Sequence, residues 1–118
     1  MADQAKAAYG EAAGIYEKHK TDSKGTIMGH AASGLLVQAY IGLGEYAKAG
    51  EASKNIIMEY PFIQTFAQQL PYIEALYEKR LNEPGKALEV YKFVLENTKE
   101  PGLIKALNKK IDELSKTK

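Results

Sequence analysis

Cysteine and tryptophan are absent from this sequence, and Arg80 is its only arginine. The lack of cysteine excludes disulfides and thiolate metal ligands, but it is compatible with a cytoplasm and, if a leader was removed, with a periplasm. No apolar run approaches the ~20 residues that span a bilayer, and the opening MADQAKAAYG has no signal-peptide pattern. We therefore predict no membrane span and leave the localisation open.

An excess of positive or negative charge is also lacking. The formal net charge is only +1, although 26% of the residues are charged. A balanced chain provides no long-range field for a polyanion. Six lysines, beginning with Lys99, make the C-terminal end basic, but arginine and interleaved aromatic side chains are lacking there. We predict no nucleic-acid partner.

Residues in catalytic or metal-binding patterns are equally few. The two histidines, His19 and His30, have no partner at metal-ligand spacing, and the serines lack the G-x-S-x-G motif. No glycine-rich segment matches a phosphate-binding loop. The sequence predicts no catalytic residue, no cofactor and no metal site, and hence a non-enzyme. An all-α enzyme whose two carboxylates meet only in the fold is the remaining alternative.

Helical periodicity runs from end to end of the chain, while alternating strand patterns and hairpin dipeptides are missing. We predict an all-α protein of about six helices. The first ends near His19, the second and third cover about 26–43 and 46–60, the fourth follows Pro61, and the last two open at Pro84 and Pro101. The apolar faces of these helices predict burial of, among others, Tyr9, Ile15, Leu35, Leu36, Phe62, Phe66 and Tyr77.

Pro71 interrupts the apolar pattern of the fourth helix. A proline inside a helix removes a hydrogen bond and costs ~3 kcal/mol unless the helix bends. Thr65 and Gln68 have the spacing of a capping box, which would place Pro71 inside the helix. We predict a kink there or a delayed start near Gln69.

Five glycines lie inside predicted helices, each at a cost of ~1 kcal/mol relative to alanine: Gly10, Gly14, Gly29, Gly34 and Gly50. One explanation is a domain of marginal stability. The explanation that we favour is that several of these glycines allow a neighbouring helix to approach closely.

The segment GLGEYAKAGEASKNIIMEYP, residues 42–61, shows an internal repeat. Leu36, Tyr40, Ala49 and Pro61 have the spacing of the tetratricopeptide repeat, a pair of antiparallel helices of about 34 residues. A second copy has Leu70, Ile73, Tyr77, Ala87 and Tyr91 in the corresponding places. The first helix, with Ala5, Tyr9 and Ala12, resembles the second half of a third unit. The chain thus resembles the tetratricopeptide repeat family over nearly its whole length, and IIMEYP resembles repeats of bacterial envelope proteins.

This resemblance implies antiparallel helical hairpins stacked as a short right-handed solenoid. The chain would be a single domain, 1–118. It would comprise a half-repeat helix (1–24), two repeats (25–61 and 62–99) and a capping helix (100–118).

The resemblance also implies a binding groove, because the first helix of each unit lines the concave surface in this family. The second helix would contribute His30, Ala31, Gly34, Gln38 and Ile41, and the fourth Gln68, Pro71, Ala75, Glu78 and Lys79. We predict a non-enzymatic scaffold that binds a peptide segment or a partner helix in this groove. For both Tyr60 and Tyr72, burial in the core and contact with a partner are predicted with equal weight.

The alternative function is a self-associating structural module, a homo-oligomer in a larger assembly. A fragment of a longer repeat protein is a further possibility, since the chain opens on half a repeat.

Overall fold

The computed structural model describes residues 2–22, 24 and 27–116. These residues form six helices and no strand, which confirms the predicted all-α class. The helices are α1 (Ala2–Asp22), α2 (Ile27–Leu43), α3 (Tyr46–Glu59), α4 (Ile63–Ile73), α5 (Pro84–Glu96) and α6 (Pro101–Lys116); α4 continues directly into a π-helical segment, Glu74–Arg80. Residues 1, 23, 25, 26, 117 and 118 of the predicted subdivision lie outside the described residues, and with them the predicted start of the second helix near residue 26.

Local sequence sets most of the helix ends. Gly44 ends α2 with a left-handed φ of 77°. Its N–H donates to the Ile41 carbonyl and the Glu45 N–H to the Tyr40 carbonyl, both at 3.0 Å, which is the Schellman arrangement. Pro84 and Pro101 occupy the first residue of α5 and α6, as predicted, because a missing N–H costs nothing there.

The expectations for the start of α4 are wrong. The helix begins at Ile63, after Phe62 in extended conformation, so it is not delayed to Gln69 and Thr65 is not its cap. Thr65 is instead buried, and its hydroxyl lies 3.0 Å from the Nε2 atom of His30. A tertiary partner on α2 therefore takes the hydroxyl that the sequence pattern assigned to a helix cap.

Pro71 lies inside the helix, and the hydrogen-bond pattern widens after it. The segment from Glu74 to Arg80 is π-helical, and it closes with a bond of 2.8 Å from the Leu81 N–H to the Leu76 carbonyl. A π-turn holds one residue more than an α-turn, so it accommodates a one-residue insertion without breaking the helix.

The core is a chain of three clusters rather than one centre. The first joins α1 to α2 through Ala13, Leu36 and Ala39. The second joins α2, α3 and the π-helical segment, and includes Ala49 and Tyr60, so Tyr60 is buried. The third and largest joins α3 to α6 and contains Ile57, Phe66, Ile73, Tyr77, Ala87, Val90, Tyr91, Val94 and Leu107.

Several side chains that were predicted to be buried are exposed. Tyr9, Ile15, Leu35 and Phe62 each show more than two fifths of their surface. Within the described residues α1 contacts only α2, so a single neighbour covers a narrow strip of α1, with Ala13 at its centre. The sequence pattern marks an apolar face correctly, but the width of the buried strip depends on how many helices pack against it.

The molecule is flatter and more extended than an average domain of its length. Its extents are 42 × 31 × 17 Å and its radius of gyration is 14.9 Å, whereas 118 residues in a compact domain give about 13.5 Å. A thickness of 17 Å is close to that of two helical layers whose axes lie ~10 Å apart.

The glycines of the helices have different surroundings. A Cβ atom at Gly10, Gly14 or Gly34 would meet no heavy atom within 4 Å, so the expectation of close approach is wrong there. At Gly50 a Cβ would lie 2.9 Å from the ring of Tyr77, so the close contact there is with a side chain of the π-helical segment rather than with a neighbouring backbone. Gly29 is buried.

We expect Gly50→Ala and Gly34→Ala to change stability in opposite directions. The added methyl at Gly50 must displace the buried Tyr77 ring, at a cost of about 1–3 kcal/mol. Gly34→Ala gains about 1 kcal/mol of helix propensity in open space. Thermal unfolding followed by circular dichroism measures both; a higher melting temperature for Gly50→Ala would contradict the assigned contact.

Candidate functional site

One face of α4 and its π-helical extension remains uncovered. Gln68, Pro71, Ala75 and Lys79 follow one another at helical spacing, and all four are exposed. The opposite face carries Phe66, Ile73 and Tyr77 into the largest core cluster. The exposed face is therefore a ridge, and a groove lies on each side of it.

The first groove, called here the α2–α4 groove, has a volume of about 380 Å³ and is lined by His30, Ala31, Gly34, Leu35, Gln38 and Gln68. His30 is fixed at one end by the hydroxyl of Thr65 and by an edge-on contact with the Tyr60 ring, whose centroid is 4.9 Å away. None of the lining residues is an Asp, Glu, Lys or Arg. The groove offers amide and imidazole hydrogen-bonding groups on a mostly apolar surface.

The second groove, the α4–α6 groove, has a volume of about 410 Å³. Its lining is apolar over most of its length and charged at one end: Leu70, Pro71, Glu74, Ala75, Lys79, Tyr91, Leu103, Ala106, Leu107 and Lys110. Because α6 supplies four of these residues, the helix that the sequence assigned to a cap also forms a groove wall.

A network of charges lies at the polar end of the α4–α6 groove. Lys110 on α6 bridges Glu74 at 3.3 Å and Glu78 at 3.1 Å, and Lys79 also pairs with Glu74 at 3.3 Å. The hydroxyl of buried Tyr91 donates to the other oxygen of Glu78. These contacts tie α6 to the π-helical segment and hold Glu78 in place.

The network shifts the pKa values of Glu74, Lys110 and Tyr91. Burial raises the pKa of Glu74, but Lys110 and Lys79 outweigh burial, so the pKa lies below its usual value. Burial lowers the pKa of Lys110, but Glu78 and Glu74 more than compensate, and the pKa is raised. Burial and then the Glu78 carboxylate raise the pKa of Tyr91. The Glu74 carboxylate and the Lys110 ammonium group are therefore held in their charged forms near neutral pH.

The predicted groove residues are thus divided between two concavities. His30, Ala31, Gly34, Gln38 and Gln68 lie together in the α2–α4 groove, while Pro71, Ala75 and Lys79 line the α4–α6 groove.

Two predicted groove residues have other surroundings. Ile41 packs against the second core cluster, and Glu78 is engaged by Tyr91 and Lys110.

Leu35 and the α6 residues were not among the predicted lining residues. Leu35 was assigned to the core because its spacing fits the apolar stripe of α2. Lys110 gave a weak signal, as a lysine that falls off the apolar side of α6. Only the packing of α6 beside α4 identifies it as a groove residue.

The part of the chain that the structure describes shows neither a metal-binding cluster nor a membrane-spanning helix. It contains no group of three or more His, Asp or Glu side chains placed to hold a metal ion. None of its helices is long and apolar enough to cross a membrane.

Comparisons with known proteins identify no relative whose binding site could be compared with these grooves. A scan against protein-family models, a search of curated proteins and a search of solved structures each found no match to the chain.

We expect Lys110→Met to destabilise the protein by about 1 kcal/mol at neutral pH, because the partly buried Glu78 loses its cation. The folded pKa of Glu74 is lowered, so its contribution is present above the unfolded value of 4.5 and is lost as the pH falls. The folded pKa of Lys110 is raised, so its contribution is lost as the pH rises beyond 10.5.

Urea unfolding at several pH values tests this prediction. The stability difference between wild type and Lys110→Met should be full from about pH 5 to 10 and should shrink outside that window. Lys109→Met, at the exposed neighbouring position of α6, is the control. A difference that is the same at pH 3 and pH 7, or an equal cost for the control, would show that the network adds nothing.

Proposed function

We propose that the protein is a non-enzymatic interaction module of the tetratricopeptide repeat type. In this proposal α2 with α3, and α4 with α5, are antiparallel hairpins stacked side by side, α1 is half a unit and α6 is the cap. The flat, extended shape and the chain of three core clusters support a stacked array, because each unit of such an array packs only against its neighbours.

Two pairs of equivalent positions in the two hairpins are buried alike, which also supports the proposal. Leu36 and Ile73, 37 residues apart, are both buried, and so are Ala49 and Ala87, 38 residues apart. The turn of each hairpin has one left-handed residue, Gly44 with φ 77° and Asn82 with φ 52°.

The sequence separation between equivalent residues of the two hairpins increases from 37 to 38 within one short segment. Tyr40 and Tyr77 still differ by 37 residues, whereas the turn residues Gly44 and Asn82 differ by 38. The extra residue of the second unit therefore falls between Tyr77 and Asn82, where the π-helical segment runs to Arg80. A π-turn absorbs one inserted residue, so the second hairpin keeps its register despite its greater length.

The observation that carries the function is the pair of grooves on either side of the exposed α4 ridge. In this proposal the first helices of two successive repeats line the α2–α4 groove, whereas α4 and the capping helix α6 line the α4–α6 groove. A partner chain that crosses Gln68, Pro71 and Ala75 would touch both grooves. The α2–α4 groove favours neutral or apolar side chains because no charge lines it. The α4–α6 groove adds a charged end, so the bound segment would be apolar with at least one polar residue toward Lys79.

Selection from a random peptide library displayed on phage tests this function without knowledge of the natural partner. We expect peptides that bind the wild-type protein to bind Ala31→Trp and Ala75→Trp at least tenfold more weakly, because the indole fills the α2–α4 or the α4–α6 groove. Both alanines are exposed, so the fold should tolerate the substitution. Fluorescence anisotropy of a labelled peptide gives the affinities.

Ala47→Trp is the matched control, since Ala47 is an exposed alanine on α3 that lines neither groove. It should bind the selected peptides as the wild type does. If no peptide is enriched, or if all three variants bind alike, the grooves are not a peptide site.

A further inference from the structure

One residue of the α2–α4 groove can change its charge near neutral pH. Histidine is the side chain that ordinarily gains a charge between pH 8 and pH 5, and His30 lies at one end of this groove. The other lining residues do not titrate: Ala31, Gly34, Leu35, Gln38 and Gln68. Uptake of a single proton therefore converts a neutral groove into a positively charged one.

The two helices that form this groove provide no counter-charge. Neither the α2 nor the α4 sequence contains an Asp, Glu, Lys or Arg. The helix α1 packs on the opposite side of α2, because its contact residue Ala39 lies nine residues, or two and a half helical turns, after His30. Asp22, Lys24 and Glu59 are the nearest charged residues in sequence to the start of α2 and the end of α3, and all three are exposed.

The immediate surroundings of His30 also oppose the charged form. The residue lies in the first turn of α2, where the unpaired N–H groups carry partial positive charge. Its two contacts are the Thr65 hydroxyl, 3.0 Å from Nε2, and the Tyr60 ring, 4.9 Å away between centroids. A hydroxyl and a phenol bring no negative charge near neutral pH. An imidazolium here depends on solvent in the open groove for its stabilisation, and a bound segment excludes that solvent.

We infer that the α2–α4 groove binds an uncharged segment of its partner over His30, and that protonation of His30 releases this segment. The inference rests on the proposed function, to which it adds the chemistry of the bound segment and a means of regulation. Covering a neutral imidazole costs little, whereas covering an imidazolium leaves a charge with neither a counter-ion nor water. By linkage, the affinity is full at slightly alkaline pH and falls, by up to tenfold for each pH unit, as His30 takes up its proton.

Peptides that are selected on phage at pH 7.5 and weakened by Ala31→Trp are the probe for this groove. One that lacks Asp, Glu, His, Lys and Arg is synthesised with blocked ends and a pH-insensitive label, so that the peptide itself does not titrate. Fluorescence anisotropy gives its dissociation constant at pH 7.5 and at pH 5.5. We expect the constant to rise about tenfold at pH 5.5, while circular dichroism shows an unchanged helical signal.

The two histidines of the chain provide a matched pair of variants, His30→Gln and His19→Gln. A glutamine amide takes up no proton in this range, so in His30→Gln the ratio of the two dissociation constants should fall close to one. His19 is exposed on α1 and lines neither groove of the α4 ridge, so His19→Gln should keep the wild-type ratio. If His30→Gln binds too weakly to measure, a wild-type ratio in His19→Gln still assigns the proton to the remaining histidine.

Several outcomes would overturn the inference while leaving the proposed function in place, because peptides would still bind. They are an equal or tighter affinity at pH 5.5, a wild-type ratio that persists in His30→Gln, and a selection in which no peptide is weakened by Ala31→Trp. A selection in which every peptide weakened by Ala31→Trp carries an acidic residue would overturn it as well. If no peptide is enriched at pH 7.5, the proposed function itself fails, and the inference fails with it.

Discussion

The packing of Tyr77 against Gly50 is the contact on which the arrangement of the other helices depends. The ring is buried in the largest core cluster and lies against the backbone of α3 where that helix lacks a side chain. Burial raises the pKa of its hydroxyl, so the phenol stays neutral. Because α3 and the π-helical segment meet here, this contact joins the N-terminal helices to α5 and α6.

The π-helical segment reconciles this packing with the course of α4. Pro71 removes one backbone donor, and the turns that follow are wider, with the Leu81 N–H bonded to the Leu76 carbonyl. Ile73 and Tyr77 remain in the core, while Pro71, Ala75 and Lys79 remain on the exposed ridge. The same distortion therefore preserves the core and shapes the wall between the two grooves.

Charge is distributed unevenly over this framework. Glu74, Glu78 and Lys110 form a network at the C-terminal side, where α6 needs a polar anchor to the π-helical segment. The surface of α1 and α2 around Leu35 has no charge in its grooves. Another side of α1 does carry charge, because Glu17 accepts a hydrogen bond from the Tyr40 hydroxyl and pairs with Lys20.

The sequence by itself determined the helices and most of their ends, because these depend on neighbours within a few residues. Gly44 readily adopts the left-handed conformation that ends a helix, and Pro84 and Pro101 fit the first turn of a helix because no N–H is required there. All three lie where the sequence predicted helix boundaries. The all-α class and much of the buried set, including Leu36, Phe66, Tyr77 and Ala87, follow from the helical period.

Only the tertiary structure decided the rest, because it depends on which helices become neighbours. Thr65 caps no helix since His30 on α2 takes its hydroxyl, and Leu35 lies open because α1 covers too little of α2. The predicted groove residues fall into two concavities because α6 packs beside α4 and supplies the wall of the second. Helical period specifies which side of a helix is apolar, but the width of the buried strip is set by the number and distance of the helices that pack against it.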